Sequence, residues 1–237
     1  MKPFEGQVAL VTGASRGIGA ATAEALGARG AHVILTARDV KALEAIEQRI
    51  FEAGGSATLA PVDLKETDGI ARLAAAVTER WGKLDILVHS AAVLPQATAV
   101  ADLDQKSFSD ALNVNALASH ALIYSFDKLL RRSADARVLL LTSPVAHVAV
   151  AYWAGYAATK AAQEMLFECY GLEVRNVSKV RVALVNPGAV RTAMRAKAFP
   201  GEDPLSVPLP EVVAEQLAAL LGEQFASPYR EDVNLAS

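Results

Sequence analysis

The chain has 237 residues, of which 52% are hydrophobic and 21% charged, enough apolar material for a large core and too little charge for a disordered chain. A formal net charge of −3 leaves no basic stripe, which excludes nucleic acid or an anionic membrane as the main partner. One domain over 1–237 is expected at this length. Met1 to Gly6 lacks the apolar segment of a signal peptide and no later apolar run crosses a bilayer without charges, so a cytoplasmic globule is expected.

Val8 to Val11 is an apolar, β-rich run followed by Thr12, by glycines at 13, 17 and 19, and by a helical pattern from Ala20 to Arg29. A strand, a glycine turn and a helix N-terminus bring unpaired amides and the positive end of a helix dipole to one point, where a dinucleotide pyrophosphate is the natural anion. The spacing is G-x-x-x-G-x-G and not the usual G-x-G-x-x-G, so a turn whose glycines only permit close packing stays open at this point. Strand and helix patterns then alternate: strand Ala31 to Thr36, helix Val40 to Ala53 stopped by Gly54-Gly55, strand Ser56 to Val62, helix Glu66 to Trp81, strand Leu84 to His89. A long helix is expected from Asp104 to Arg131, then strand Arg137 to Thr142, helix Gly155 to Asn176 and strand Val180 to Val185. Arg191 to Pro210 reads as irregular, with prolines at 200, 204, 208 and 210, and a last helix runs to Leu221. Alternation of this kind predicts a single α/β, Rossmann-type doubly wound domain with a central parallel sheet flanked by helices, and a ligand at the carboxyl ends of its strands. A Pro-rich segment as long as 190–210 reads as a functional loop or lid.

Cys169, the one cysteine, falls in an apolar-periodic helix and is expected to be a small core residue. His32, His89, His120 and His147 show no metal-ligand spacing with one another or with Cys169, so no metal is expected. Tyr156 and Lys160 sit at i and i+4, on one face near the start of a helix. A cation beside a phenol and a helix N-terminus below it favour the phenolate, which moves an ordinary pKa of about 10 toward acid or base strength useful near neutrality. Ser143 follows the apolar strand before that helix, at the edge where a ligand on the glycine turn would lie. An exposed helix face with a snorkelling lysine is the plain alternative.

Thr12 to Gly19 resembles the cofactor turn of the short-chain dehydrogenase/reductase family, and the resemblance continues in order as far as Thr192. It implies that Ser143, Tyr156 and Lys160 are the catalytic serine, tyrosine and lysine, and that Asn115 in Asn113-Val114-Asn115-Ala116 is the fourth catalytic member. Read by itself, Asn115 is a buried polar residue that disrupts its helix. The resemblance further implies cofactor contacts from Gly13, Ser15, Arg16, Gly17, Ile18 and Gly19 in the turn, from Asp63 and Leu64 at the adenine, from Ser90 and Ala91, from Tyr156 and Lys160, and from Pro187, Gly188, Val190 and Thr192 at the nicotinamide. Asp63 also fits a helix N-cap.

Where NAD-preferring relatives carry an acidic residue this chain has Ala37, and Arg38 and Arg16 can bracket a 2′-phosphate, so NADP(H) is expected over NAD(H). Val145, His147 and Trp153 lie where relatives line the substrate pocket and suggest a hydrophobic small-molecule carbonyl or alcohol; packing on a neighbouring helix or subunit is the alternative. Arg191, Arg195 and Lys197 face either an acidic substrate or water. The resemblance implies a homo-oligomer, dimer or tetramer. The chain departs from the family pattern at His89-Ser90-Ala91-Ala92, where Asn-Asn-Ala-Gly is usual and a polar side chain steadies the sheet; at Pro144; and at its ending from Tyr229, which lacks the usual last strand closing in Gly-Gly. Three readings follow: an NADP(H)-dependent oxidoreductase acting between a carbonyl and a secondary alcohol; a sensor that binds NADP(H) without turnover and so has no need of Tyr156 and Lys160; or a structural subunit that uses the long helices for assembly, which leaves the four candidate catalytic residues unexplained.

Overall fold

Val8 to Thr12 and Arg137 to Leu141 are buried along their whole length, as strands covered by helices on both faces must be. A computed structural model describes residues 2–233; Met1 and Asn234 to Ser237, the remainder of the expected tail, lie outside the described residues. Strands β1 (Val8–Thr12), β2 (His32–Thr36), β3 (Ser56–Leu59), β4 (Ile86–His89), β5 (Arg137–Leu141), β6 (Arg181–Asn186) and β7 (Tyr229–Asp232) form one parallel sheet in the order β3-β2-β1-β4-β5-β6-β7. The helices are α1 (Gly17–Ala28), α2 (Val40–Glu52), α3 (Thr67–Trp81), α4 (Gln105–Leu112), α5 (Ala118–Arg131), α6 (Ala154–Val174), α7 (Ala193–Ala198) and α8 (Pro210–Gly222).

Alternation along each strand divides the core in two. Val11, Leu35, Val88 and Leu139 face Leu26, Leu43, Ile50 and Leu217 of α1, α2 and α8. Leu10, Ile34, Leu87 and Val138 face Ile70, Leu122, Phe126 and Phe167 of α3, α5 and α6. The strand order reverses direction between β1 and β4, which opens a crevice at their carboxyl ends.

Several expectations need correction. The ending does form a strand: β7 pairs in parallel with β6, Ala183 opposite Tyr229 through Asn186 opposite Asp232. The long helix expected from Asp104 is interrupted by a π-turn at Asn113–Leu117, because the side chain of Asn115 bonds outside the helix. Arg191 to Pro210 is not wholly irregular; Thr192 caps α7, its Oγ1 accepting the Arg195 N–H at 3.1 Å. Cys169 is exposed, since it lies on the outer side of α6 from Phe167 and Tyr170. Pro204–Gly222 has the length and hydropathy of a membrane span, but its helical part buries Val213, Leu217 and Leu221 in the core.

His89 supplies the polar tie that its place in the sheet requires. It stands opposite Thr12 in register, with Nδ1 2.7 Å from Thr12 Oγ1 and Nε2 3.0 Å from Ser119 Oγ. Thr12 Oγ1 accepts the Ala91 N–H at 3.2 Å and Ser119 donates to Asn115 O at 2.7 Å, so the hydroxyl of Thr12 donates to Nδ1 and Nε2–H donates to Ser119. That pattern is satisfied by a neutral imidazole. Burial, with a smaller effect of the Lys160 charge, pushes its pKa down to about 3 from 6.5. Because the folded value lies below the unfolded one, the stability is complete above pH 6.5 and declines as pH falls toward 3. We predict that between pH 6.5 and about 5 the protein loses about 2 kcal/mol that a His89→Gln variant keeps, measured as the difference in urea unfolding free energies. Equal losses in the two proteins would contradict this assignment.

Candidate active site

The glycine turn lies against the exit of β4. Gly13 has φ +69°, and a Cβ there would stand 2.9 Å from the backbone of Ala91; a Cβ on Gly19 would overlap the Gly13 carbonyl oxygen. Gly17, at φ +58°, faces the Thr192 methyl. Gly13, Gly17, Gly19, Ser90, Ala91 and Thr192 therefore meet at the crevice, with Ser15 and Ile18 on the turn and first helical residues between them. Arg16 is the N-cap residue of α1 and its side chain makes no capping bond. Glycines that keep the turn tight and the first amides of α1 accessible fit a pyrophosphate.

Thr12 and Thr36 are register partners, so Arg16 and Arg38 leave the same sheet edge. Both are exposed, and among the described residues neither pairs with a carboxylate. Arg38 lines a cavity of about 340 Å³ with Lys65, Val93 and Asp110, and Lys65 is itself paired with Asp110 at 2.9 Å. Asp63 is not a helix N-cap: Glu66 holds that position, and the Asp63 carboxylate accepts the Lys65 N–H at 3.0 Å in the preceding turn, beside buried Leu64. Gly188 has φ +69°, its N–H donating to Asn186 Oδ1 at 3.1 Å; with Pro187 it turns the chain from β6 toward Val190, which is buried, and Thr192.

Ser143 follows Thr142 just beyond β5 and starts a 3-10 turn, Pro144–Ala146, with φ −158° and ψ 148°. That extended backbone is what a residue before proline prefers. Tyr156 lies in the first turn of α6. Burial pushes its phenol up to about 12, against the expectation of a lowered value. The reason is local: the Lys160 ammonium, 2% exposed, donates to Leu141 O at 2.6 Å and to Gln163 Oε1, and makes no hydrogen bond to the phenol. Burial pulls Lys160 itself down to about 7, partly opposed by Glu164.

Asn115 bonds away from Lys160. Its Oδ1 accepts the Val93 N–H at 2.8 Å, and its Nδ2 donates to Val93 O and to Thr159 Oγ1, each at 2.9 Å. Thr159 in turn donates to Tyr156 O at 2.7 Å, so Asn115 seats the first turn of α6 on the π-turn. Lys160 instead joins a buried chain: Gln163 Nε2 donates to Ser119 Oγ at 2.9 Å, and Ser119 leads to His89 and Thr12.

Trp153 stacks on Phe199, ring centroids 5.7 Å apart, and meets Tyr156 edge-on at 6.2 Å. Arg195 lies over the Phe199 ring at 3.8 Å and bonds Glu202 at 2.7 Å through Nε. Lys197 donates to Leu94 O at 3.3 Å and Arg191 to Val207 O at 3.2 Å. These three cations fasten α7 and its flanks, so none simply faces water. Val145 is half-buried in the 3-10 turn, whereas His147 is turned toward Glu164, its Nδ1 3.6 Å from Oε2. Among the described residues no group of three or more His, Cys, Asp or Glu side chains could hold a metal ion.

Gln163, Glu164, Thr142 and Arg230 join this neighbourhood beyond the residues expected from the sequence. The signal in the sequence is spacing: Gln163 and Glu164 lie three and four residues after Lys160, polar residues on the buried stripe of α6.

Residues 7–203 match the short chain dehydrogenase family model. The chain is 31% identical over 220 residues to the uncharacterized oxidoreductase YciK of Escherichia coli, covering 92% of this chain and 86% of that protein. A short chain dehydrogenase structure from Pseudomonas syringae superposes with a TM-score of 0.93 at 34% identity, over 98% of this chain and 95% of that one. One from Shigella flexneri, complexed with NADP, gives a TM-score of 0.92 at 29% identity, over 98% of each chain. A Rossmann-type oxidoreductase is thus the class that the fold and these similarities define. The chain belongs to the short-chain dehydrogenase/reductase family.

The crowding at the turn gives a direct test. Gly19→Ala is expected to lower stability by about 1–3 kcal/mol, because the new methyl meets backbone and not a flexible side chain. Urea unfolding measures it, and wild-type stability in that variant would refute the geometry.

Proposed function

We propose that the protein is an NADP(H)-dependent oxidoreductase that interconverts a carbonyl compound and a secondary alcohol, with Tyr156 as proton donor. The observation that carries the reading is the tie between Lys160 and Leu141 O: it fastens the helix bearing Tyr156 to the strand end that leads into Ser143, beside the glycine crevice. When bound, the nicotinamide supplies the hydride. Gly13 to Gly19 would hold the pyrophosphate, Asp63 and Leu64 the adenine, Pro187 to Thr192 the nicotinamide end, and Lys160 the ribose.

Ser143 donates a hydrogen bond to the substrate oxygen, and Tyr156 gives that oxygen its proton. A phenol held near 12 by burial is fully protonated at neutral pH, which suits the reductive direction. Lys160, one turn further along α6, supports the phenolate left behind, and Asn115 keeps the first turn of that helix in place. Trp153, Val145 and Phe199 offer apolar and aromatic surface to a hydrophobic substrate, with 190–210 as the lid. Preference for NADP(H) is supported by Ala37, which brings no carboxylate to repel a 2′-phosphate, by Arg16 and Arg38 on one edge, and by relatives complexed with NADP and NADPH. We further propose a cytoplasmic homo-oligomer, the association resting on exposed Leu117 of the π-turn, Tyr124 of α5 and Met165 of α6; sedimentation should give a dimer or tetramer, and a monomer counts against it.

Two outcomes test the reading. Tyr156→Phe should abolish NADPH oxidation with an apolar ketone or aldehyde while leaving NADPH binding within about twofold, since only the proton donor is removed; retained turnover excludes Tyr156 as donor, and tight binding with no wild-type turnover in either direction favours a sensor. Arg38→Ala should weaken NADPH binding by about tenfold or more and leave NADH binding nearly unchanged. Equal losses for both cofactors would remove the basis for the preference.

A further inference from the structure

Glu164 is a carboxylate 3% exposed on α6, one turn beyond Lys160. Its Oε1 accepts the hydroxyl of Thr142, the residue immediately before Ser143. Its Oε2 accepts from Arg230 Nη1 of β7 at 2.9 Å and lies 3.6 Å from His147 Nδ1. Arg230 is held in place by Glu168, whose Oε1 accepts from Nε at 2.7 Å. One buried side chain therefore touches both ends of the segment from Thr142 to His147, and Ser143 is carried between those ends. Lys160 ties Leu141 from the same helix face, so consecutive residues of the strand end are fastened to α6 by side chains at i and i+4. Pro144 and the bond from Ala146 N–H to Ser143 O at 3.0 Å complete the restraint.

We propose that Glu164 is a positioning residue: it fixes the Ser143 segment against the helix that carries Tyr156, and its charge balances the ammonium of Lys160. The proposal rests on the reductase reading above. A structural carboxylate in this place would be an expensive choice, because burying it demands a full set of partners; here the partners are the residue preceding Ser143, the segment's far end and a cation from the edge strand. The charged and titratable groups facing the pair are Tyr156 and Glu168 on α6, neutral His89 on β4, His147 on the 3-10 segment and Arg230 on β7. Glu164→Gln removes the charge of one of the two carboxylates that Arg230 touches, and it is the one that holds the Lys160 pKa up. Loss of a negative charge lowers the pKa of Lys160 and of Tyr156 alike, so the basic limb of the rate profile moves to lower pH whichever group governs it.

The experiment compares wild type, Glu164→Gln, Thr142→Val and Tyr156→Phe in NADPH-dependent reduction of one carbonyl substrate from pH 5 to 10, alongside NADPH binding by fluorescence and amide exchange of the ligand-free proteins. Glu164→Gln is expected to lower kcat about ten- to a hundredfold, as misplacement of a reacting group does, with NADPH binding within about twofold and the basic limb displaced to lower pH. Thr142→Val breaks one tie without changing charge: kcat falls and the limb stays put. Both variants should speed exchange at the Ala146 amide in the absence of cofactor. An unchanged kcat and limb in Glu164→Gln overturn the proposal; if that variant does not fold, unchanged kcat and unchanged exchange in Thr142→Val overturn it. Turnover surviving in Tyr156→Phe defeats the underlying reading instead, and is told apart because that variant leaves Glu164 and its bonds intact.

Discussion

Burying one ammonium is the constraint that organises the active half of this molecule. Lys160 has lost its water and must find acceptors; it takes Leu141 O from the sheet and Gln163 Oε1 from its own helix. The first bond locks α6 onto the end of β5. The second opens a chain through Gln163, Ser119 and His89 to Thr12, the last residue before the glycine turn. A single line of hydrogen bonds thus runs from the proposed proton-transfer side of the crevice to the proposed phosphate-binding side. Donation runs inward from both ends and converges on Ser119, which accepts from Gln163 and from His89 and gives its own proton to Asn115 O.

The same economy explains the π-turn. Asn115 spends its side chain on Val93 and Thr159, which holds the loop after β4 and the first turn of α6 together. A regular helix at Asn113–Leu117 has no reason to present the side chain that way; the extra residue in the turn swings it inward. With Asn115 on one side and Lys160 on the other, the first turn of α6 is supported from two strands' worth of connecting chain, and Tyr156 sits on it. The lid is fastened by different means: Trp153, Phe199 and Arg195 form a stack, and Glu202 holds the arginine.

Most of the architecture is legible in the sequence. Runs such as Val8 to Val11 and Arg137 to Thr142 are too apolar for anything but strands covered on both sides, and the glycines at 13, 17 and 19 make sense only at a turn where backbones touch. What escaped reading depended on partners distant in sequence. β7 is short, polar and half-exposed; its register on β6 and not its own pattern makes it a strand. Cys169 fell on the outer face by a rotation of the helix that a few apolar neighbours cannot resolve. The pKa of Tyr156 is not legible in the i, i+4 spacing, which gives proximity of backbone positions, while the direction of a long lysine side chain is chosen by the acceptors it finds. Glu164 is illegible for the same reason, its meaning residing in Thr142, His147 and Arg230.

The central claim is that this crevice carries hydride transfer to a carbonyl carbon and not cofactor binding alone. The most direct measurement is to supply NADPH deuterated at the transferable position with a panel of apolar ketones and aldehydes and to look for deuterium in the alcohol products by mass spectrometry. The account predicts one deuterium on the former carbonyl carbon of at least one product. Tight binding of NADPH with no deuterium in any product, and none transferred from deuterated alcohols to NADP, would contradict it.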